Sequence, residues 1–177
     1  MFLTEFFGFF SLSALIMWGF LMAFFFNLFV YSLDVKRNTT LLLSSLIMVV
    51  SYSSSDYFLT WLSIYNITYL DWALYDFSTL IFLFVTYQSI KKTTPSFLYL
   101  ICGLLVNMSL LLAMHIDVFI YNNQEYWLLW SIYTFGVNLI DLIMIVALIV
   151  DRDFLGLHKL KNIIVSLFKK SNLKHSH

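Results

Sequence analysis

Charge is scarce in this chain, with Asp, Glu, Lys and Arg making up 11% of 177 residues, against about a quarter in an ordinary soluble domain. That shortage, beside a 61% hydrophobic content, excludes a soluble globular protein. Disorder is excluded as well, because 20% of the residues are aromatic and disordered chains are poor in aromatics. The single cysteine, Cys102, rules out an internal disulfide and any thiolate cluster. The single proline, Pro95, falls at the start of an apolar run, where a helix tolerates it. Five glycines leave no phosphate-cradling loop, and G-x-S-x-G, Walker and Rossmann signatures are missing. There is no H-x-x-x-H, no E-x-x-H and no basic stretch at the beginning. The first residues carry only Glu5, so the first apolar run is expected to stay as an anchor.

What the sequence does have is long apolar runs. A helix needs about 20 predominantly apolar residues to cross roughly 30 Å of hydrocarbon, and five stretches qualify: about 6–33, 41–61, 72–90, 97–116 and 127–150. Open sheet edges do not survive in lipid, and the alternation of barrel strands is absent. The expectation is an all-α integral membrane protein, a multi-pass bundle of five transmembrane helices over 1–153 with a tail at 154–177. The second stretch is the weakest, because Ser51, Ser53, Ser54, Ser55 and Asp56 dilute one end. It is the one that would stop early or re-enter.

The basic residues set the orientation. Lys36 and Arg37, Lys91 and Lys92, and the six from Arg152 onward fall on one side of a five-span topology, leaving the other side without Lys or Arg. This is the positive-inside bias. It puts the N-terminus outside and the C-terminus inside, most simply in a bacterial inner membrane. A faint similarity between 36–90 and 91–150 needs only two hairpins that both obey this rule.

Small and polar residues pick out the faces that meet. Ser11, Gly19, Ala23 and Asn27 step by fours along the first span with Leu15 among them, and this face is expected to pack inward. Ser44, Ser51 and Ser55 share a face of the second span, and Asp76, Thr79 and Thr86 mark the third. Ser131, Thr134, Asn138 and Asp141 lie within one arc of the fifth. A rise of 1.5 Å per residue sorts them by depth. Asn107 and Asp141 fall near the middle, Asp56, Asp76 and His115 in the outer half, and Asp117 at the rim. No span holds a cation, so Asp141 is expected to be neutral and hydrogen-bonded, and the Ser, Thr and Asn side chains to join helices.

After Arg152, Leu157, Leu160, Ile163, Ile164, Leu167 and Phe168 share a face opposite His158, Asn162, Lys169 and Lys170. The expectation is a basic amphipathic helix on an anionic inner leaflet, held by Lys159, Lys161, Lys169 and Lys170 at about 1 kcal/mol each. Nucleic acid is excluded, since no stacking aromatics interleave with these lysines.

Three functions fit. The first expected is a non-enzymatic protein that binds another membrane protein, as an accessory subunit, assembly factor or immunity-type protein. The alternative is a small transporter or proton-linked channel using Asn107, Thr134, Asn138 and Asp141. The third is a metal-dependent membrane enzyme built on Asp56, Asp76 and His115, although no ligand spacing supports a metal and no cofactor is expected. A reporter active only outside the cell should work when fused after Leu62 or Asn122 and fail after Thr94 or His177. Activity after His177 would overturn the five-span topology.

Overall fold

In the computed structural model the described residues are 12–35, 38–55, 68–123, 125–159, 161–163 and 166. Glu5, Ser11, Lys36, Arg37, Asp56, Leu62, Leu160, Ile164, Leu167, Phe168, Lys169, Lys170 and Lys174 lie outside them. The regular structure among the described residues is all helical: α1 (Leu12–Ser32), α2 (Thr39–Ser55), α3 (Tyr69–Ile90), α4 (Pro95–His115) and α5 (Leu128–Val150). A single π-helical turn, Ile116–Ile120, extends α4.

Four helical segments are long and apolar enough to cross a membrane: Ala14–Ser32, Tyr69–Ile90, Pro95–Ile120 and Leu128–Val150. The described part of α2 has 17 residues and rises about 26 Å, short of that length. Its expected continuation to 61 lies outside the described residues.

Local chemistry sets the helix ends. Pro95 occupies the first turn of α4, where its missing N–H costs nothing, and the Thr94 side chain caps the helix by accepting the Phe97 N–H at 3.2 Å. At the start of α3, the Asp71 carboxylate accepts from the N–H and hydroxyl of Thr68, both at 2.8 Å. With glycine so scarce, Lys91 and Asp151 adopt the left-handed conformation that ends α3 and α5, at φ 55° and 46°. Glycine would hold such a position without steric cost.

The helices close into a ring. Each packs on its sequence neighbour, and α1 completes the circle against α5. The end of the bundle where α1, α3 and α5 finish carries Lys91, Lys92, Arg152 and Lys159; we call it the basic end. The core fills this half, with Phe20 and Ala23 from α1, Met48 from α2, Leu83 from α3, Leu100 and Leu104 from α4, and Met144 and Leu148 from α5. Polar contacts sew it together. Thr40 donates to the Lys92 carbonyl at 3.0 Å, Asn27 to the Leu148 carbonyl at 3.1 Å, and Ser96 to Asp151 at 2.9 Å.

The inward face of α1 is not quite the expected one. Ala23 and Asn27 are buried and Gly19 meets Ile145, but Leu15 is 56% exposed while Ile16 and Phe20 are buried. A spacing of four drifts about 40° per step on a 3.6-residue helix, so a run of three steps rotates its first member off the contact face. The stripe Ile16, Phe20, Ala23, Asn27 alternates four and three, and holds its direction.

At the opposite end, Asp117 organises the α4–α5 connection by accepting from Trp127 Nε1 at 2.8 Å and Asn123 Nδ2 at 3.2 Å. At the basic end the tail starts against α4. The Tyr99 hydroxyl donates to Asp153 and accepts the Leu155 N–H, at 2.9 and 2.7 Å. Desolvation pushes the Asp153 carboxyl up, but hydrogen bonds from the Tyr99 hydroxyl and the His158 N–H outweigh it and hold the group below the usual carboxylate range. Residues 157–159 and 161–163 are helical, and Lys159 and Lys161 are exposed.

Gly103 lets α4 and α5 approach closely, since a Cβ there would lie 2.5 Å from Met144 Sδ and 2.7 Å from its Cγ. Gly103→Leu should therefore lower stability by about 1 to 3 kcal/mol through overpacking, read as an earlier unfolding transition in detergent.

Candidate functional site: an acidic aromatic cavity

The half of the bundle away from the basic end is not filled. It holds a cavity of about 260 Å³ to which all five helices contribute, running from mid-depth toward the end opposite the basic one. Asp141 sits near the middle of α5 and is 5% exposed. Its Oδ1 accepts from the Tyr52 hydroxyl at 2.6 Å and from Asn107 Nδ2 at 2.7 Å. Three helices thus converge on one oxygen, with α2 sending the phenol, α4 the amide and α5 the acid. A carboxyl in an apolar bundle needs such internal partners, because hydrocarbon offers none.

The partners are themselves fixed. The Tyr52 ring packs on Phe20 with centroids 4.4 Å apart, so α1 sets the angle of the phenol. Ser51, one residue earlier, is hydrogen-bonded to Thr79 on α3, which locks the register of α2 against its neighbour. Thr79 also donates to the Tyr75 carbonyl at 2.8 Å. Asn107 is 1% exposed; its Nδ2 donates to Asp141, and its Oδ1 has no hydrogen-bond partner among the described residues.

The other acid lining the cavity among the described residues is Asp76 on α3, which shares the wall with Trp72 and Tyr75 from its own helix and Tyr133 from α5. Among the described residues, no Lys, Arg or His lines the cavity. Its surroundings are therefore two carboxyl groups, neutral hydrogen-bonding side chains and aromatic faces. Such a set can accept a proton or hold a positive charge; it offers nothing to an anion.

The four residues expected to form an intramembrane polar site, Asn107, Thr134, Asn138 and Asp141, all reach this one cavity. Their roles differ. Thr134 donates to the Trp130 carbonyl at 2.9 Å and Asn138 to the Thr134 carbonyl at 2.6 Å, so both spend these donors on their own helix. Most other hydroxyls within the helices do the same, Ser45, Ser78, Thr86 and Ser109 among them. The expected interhelical role of Ser and Thr holds for only a few, because a hydroxyl reaches the carbonyl one turn back more readily than a neighbouring helix.

The outer set does not assemble among the described residues. Asp76 lines the cavity, whereas His115 is not among its lining residues and stacks on Phe119 at 5.0 Å. Asp56 lies outside the described residues. No group of three or more His, Cys, Asp or Glu side chains able to hold a metal ion occurs among the described residues.

Tyr52 and the rings of Tyr75 and Tyr133 are the site residues that sequence reasoning passed over. One signal was available: Tyr52 adjoins Ser51 on a serine-marked face, and a phenol turned toward a bundle holding an unpaired acid is a natural donor to it.

Comparison with family models, curated proteins and solved structures found no match.

The geometry separates two substitutions of Asp141. Asp141→Asn keeps an acceptor for Tyr52 and Asn107 at nearly the same volume and should leave the detergent unfolding transition close to that of the parent. Asp141→Leu strands both donors and should cost about 1 to 3 kcal/mol. A leucine variant as stable as the parent would overturn the role assigned to these bonds.

Proposed function

We propose that the chain is a small multi-pass transporter in which Asp141, at the inner limit of the cavity, exchanges a proton or a cation during passage. The observation that carries this reading is the pairing of an acid-lined cavity in one half of the bundle with a tightly packed core in the other. That is the arrangement of a carrier open on one side and closed on the other. Of the three residues joined at mid-depth, only Asp141 brings a carboxyl group able to exchange a proton, since a phenol is a far weaker acid and an amide does not titrate.

In this reading the bundle crosses the membrane five times with the basic end in the cytoplasm, following the Lys and Arg bias. The cavity then faces outward, and the tail lies on an anionic inner leaflet through Lys159, Lys161, Lys169 and Lys170. No cofactor is needed.

Partner binding, the role expected first from the sequence, has no comparable feature in its favour. The exposed apolar side chains, such as Phe25, Val50, Phe82, Val106 and Phe135, are distributed over all five helices, which lipid contact alone requires. The metal-dependent alternative lacks an assembled ligand set among the described residues.

The test is proton flux in liposomes loaded with a pH-sensitive dye. Reconstituted protein should dissipate an imposed proton gradient, and Asp141→Asn should fall to the level of protein-free vesicles while keeping its fold. Flux that is unchanged in the asparagine variant, or absent from the parent, would overturn the proton-linked reading.

A further inference from the structure

We propose that the cavity is a binding site for a small protonated primary amine with an apolar body, its ammonium group held between Asp76, Asp141 and the carbonyl oxygen of Asn107. The proposal deepens the transport reading by naming the cargo of the same cavity, and it rests on that reading for the claim that the amine is moved.

Three observations select this ligand. The charge comes first. Among the described residues two carboxyl groups line one cavity without a Lys, Arg or His in its walls, so a cationic ligand supplies the counter-charge. Asp76 receives no hydrogen bond from the described residues, and Asp141 uses only Oδ1 for Tyr52 and Asn107, which leaves carboxylate oxygens for a ligand.

The unpaired acceptor comes second. Asn107 is 1% exposed and lines the cavity. Its amide orientation is fixed by the Nδ2 bond to Asp141, and its Oδ1 is left buried with no partner among the described residues. A buried acceptor without a donor costs free energy, and an ammonium N–H supplies the donor. A quaternary ammonium has none to give, and a metal ion would call for an assembled set of ligands.

Size and surface come third. A cavity of about 260 Å³ is many times what a single water requires and has room for a small organic solute. Most of its wall is apolar, with Trp72, Tyr75 and Tyr133 presenting rings. Aromatic faces attract a cation and accommodate the hydrocarbon attached to it.

The test uses the full chain in detergent and isothermal titration, with protein-free micelles as the baseline. The probe is 2-phenylethylamine, protonated at neutral pH; its neutral match in size is 2-phenylethanol, and its trimethylammonium derivative lacks the N–H. The amine should bind saturably, roughly tenfold or more tighter than the alcohol and tighter than the trimethylated form, as a charge-assisted hydrogen bond implies. Asp76→Asn disturbs no hydrogen bond to a described residue and should weaken the amine by a similar factor without shifting the unfolding transition. Equal affinity for amine and alcohol, or amine binding indifferent to both Asp76→Asn and Asp141→Asn, overturns the proposal. Asp141-dependent proton flux without saturable amine binding also overturns it and leaves the transport reading standing. Amine binding without any flux sustains the proposal as a binding site and removes the transport reading instead.

Discussion

A carboxyl group halfway along an apolar helix has to find its hydrogen bonds inside the protein, and the arrangement of this bundle follows from how Asp141 does so. Tyr52 and Asn107 both donate to its Oδ1. Because these donors come from α2 and α4, one oxygen ties together helices that otherwise have little contact across the ring. Phe20 then sets the phenol from α1, and the Ser51–Thr79 bond sets α2 against α3. All five helices are positioned, directly or at one remove, with respect to a single acid.

The two halves of the bundle answer to different physics. Near the basic end, Gly103 and Ala23 permit close approach of backbones, and the side chains between them are almost fully excluded from solvent. Packing of this kind resists deformation, since interiors at crystal-like density lose contact energy with small displacements. Away from that end, rings and polar groups border open space, and the bonds between helices gather at Asp141 and at the Ser51–Thr79 pair.

The sequence was most informative about what lipid demands directly. Apolar length located the helices, and the arc Thr134, Asn138, Asp141 marked the side of α5 that meets the cavity. Asn107 at mid-depth was likewise legible, because polar residues in such runs stand out. The identity of Asp141's partners was not, since hydropathy treats tyrosine as one more apolar ring and gives no pairing between α2 and α5, 89 residues apart. Leu15 shows the limit of face reading: a spacing of four and an alternation of four and three look alike over two turns and diverge over four. The grouping of Asp76 with His115 failed for a related reason, because depth along the bundle normal says nothing about azimuth around it.

The contact between α1 and α5 has one further property. Every other neighbouring pair in the ring is joined by the chain itself, whereas this seam is held by side chains alone, with Asn27 donating to a carbonyl 121 residues later. A ribosome adds about 5 to 20 residues per second, so the Asn27 amide waits on the order of 6 to 24 seconds for its acceptor to be made. During that interval the first four helices form an open arc, and Asp141 does not yet exist to receive Tyr52 and Asn107. The cavity therefore takes shape only once the fifth helix is made, and anything that shields Tyr52 and Asn107 in the meantime acts before the site exists.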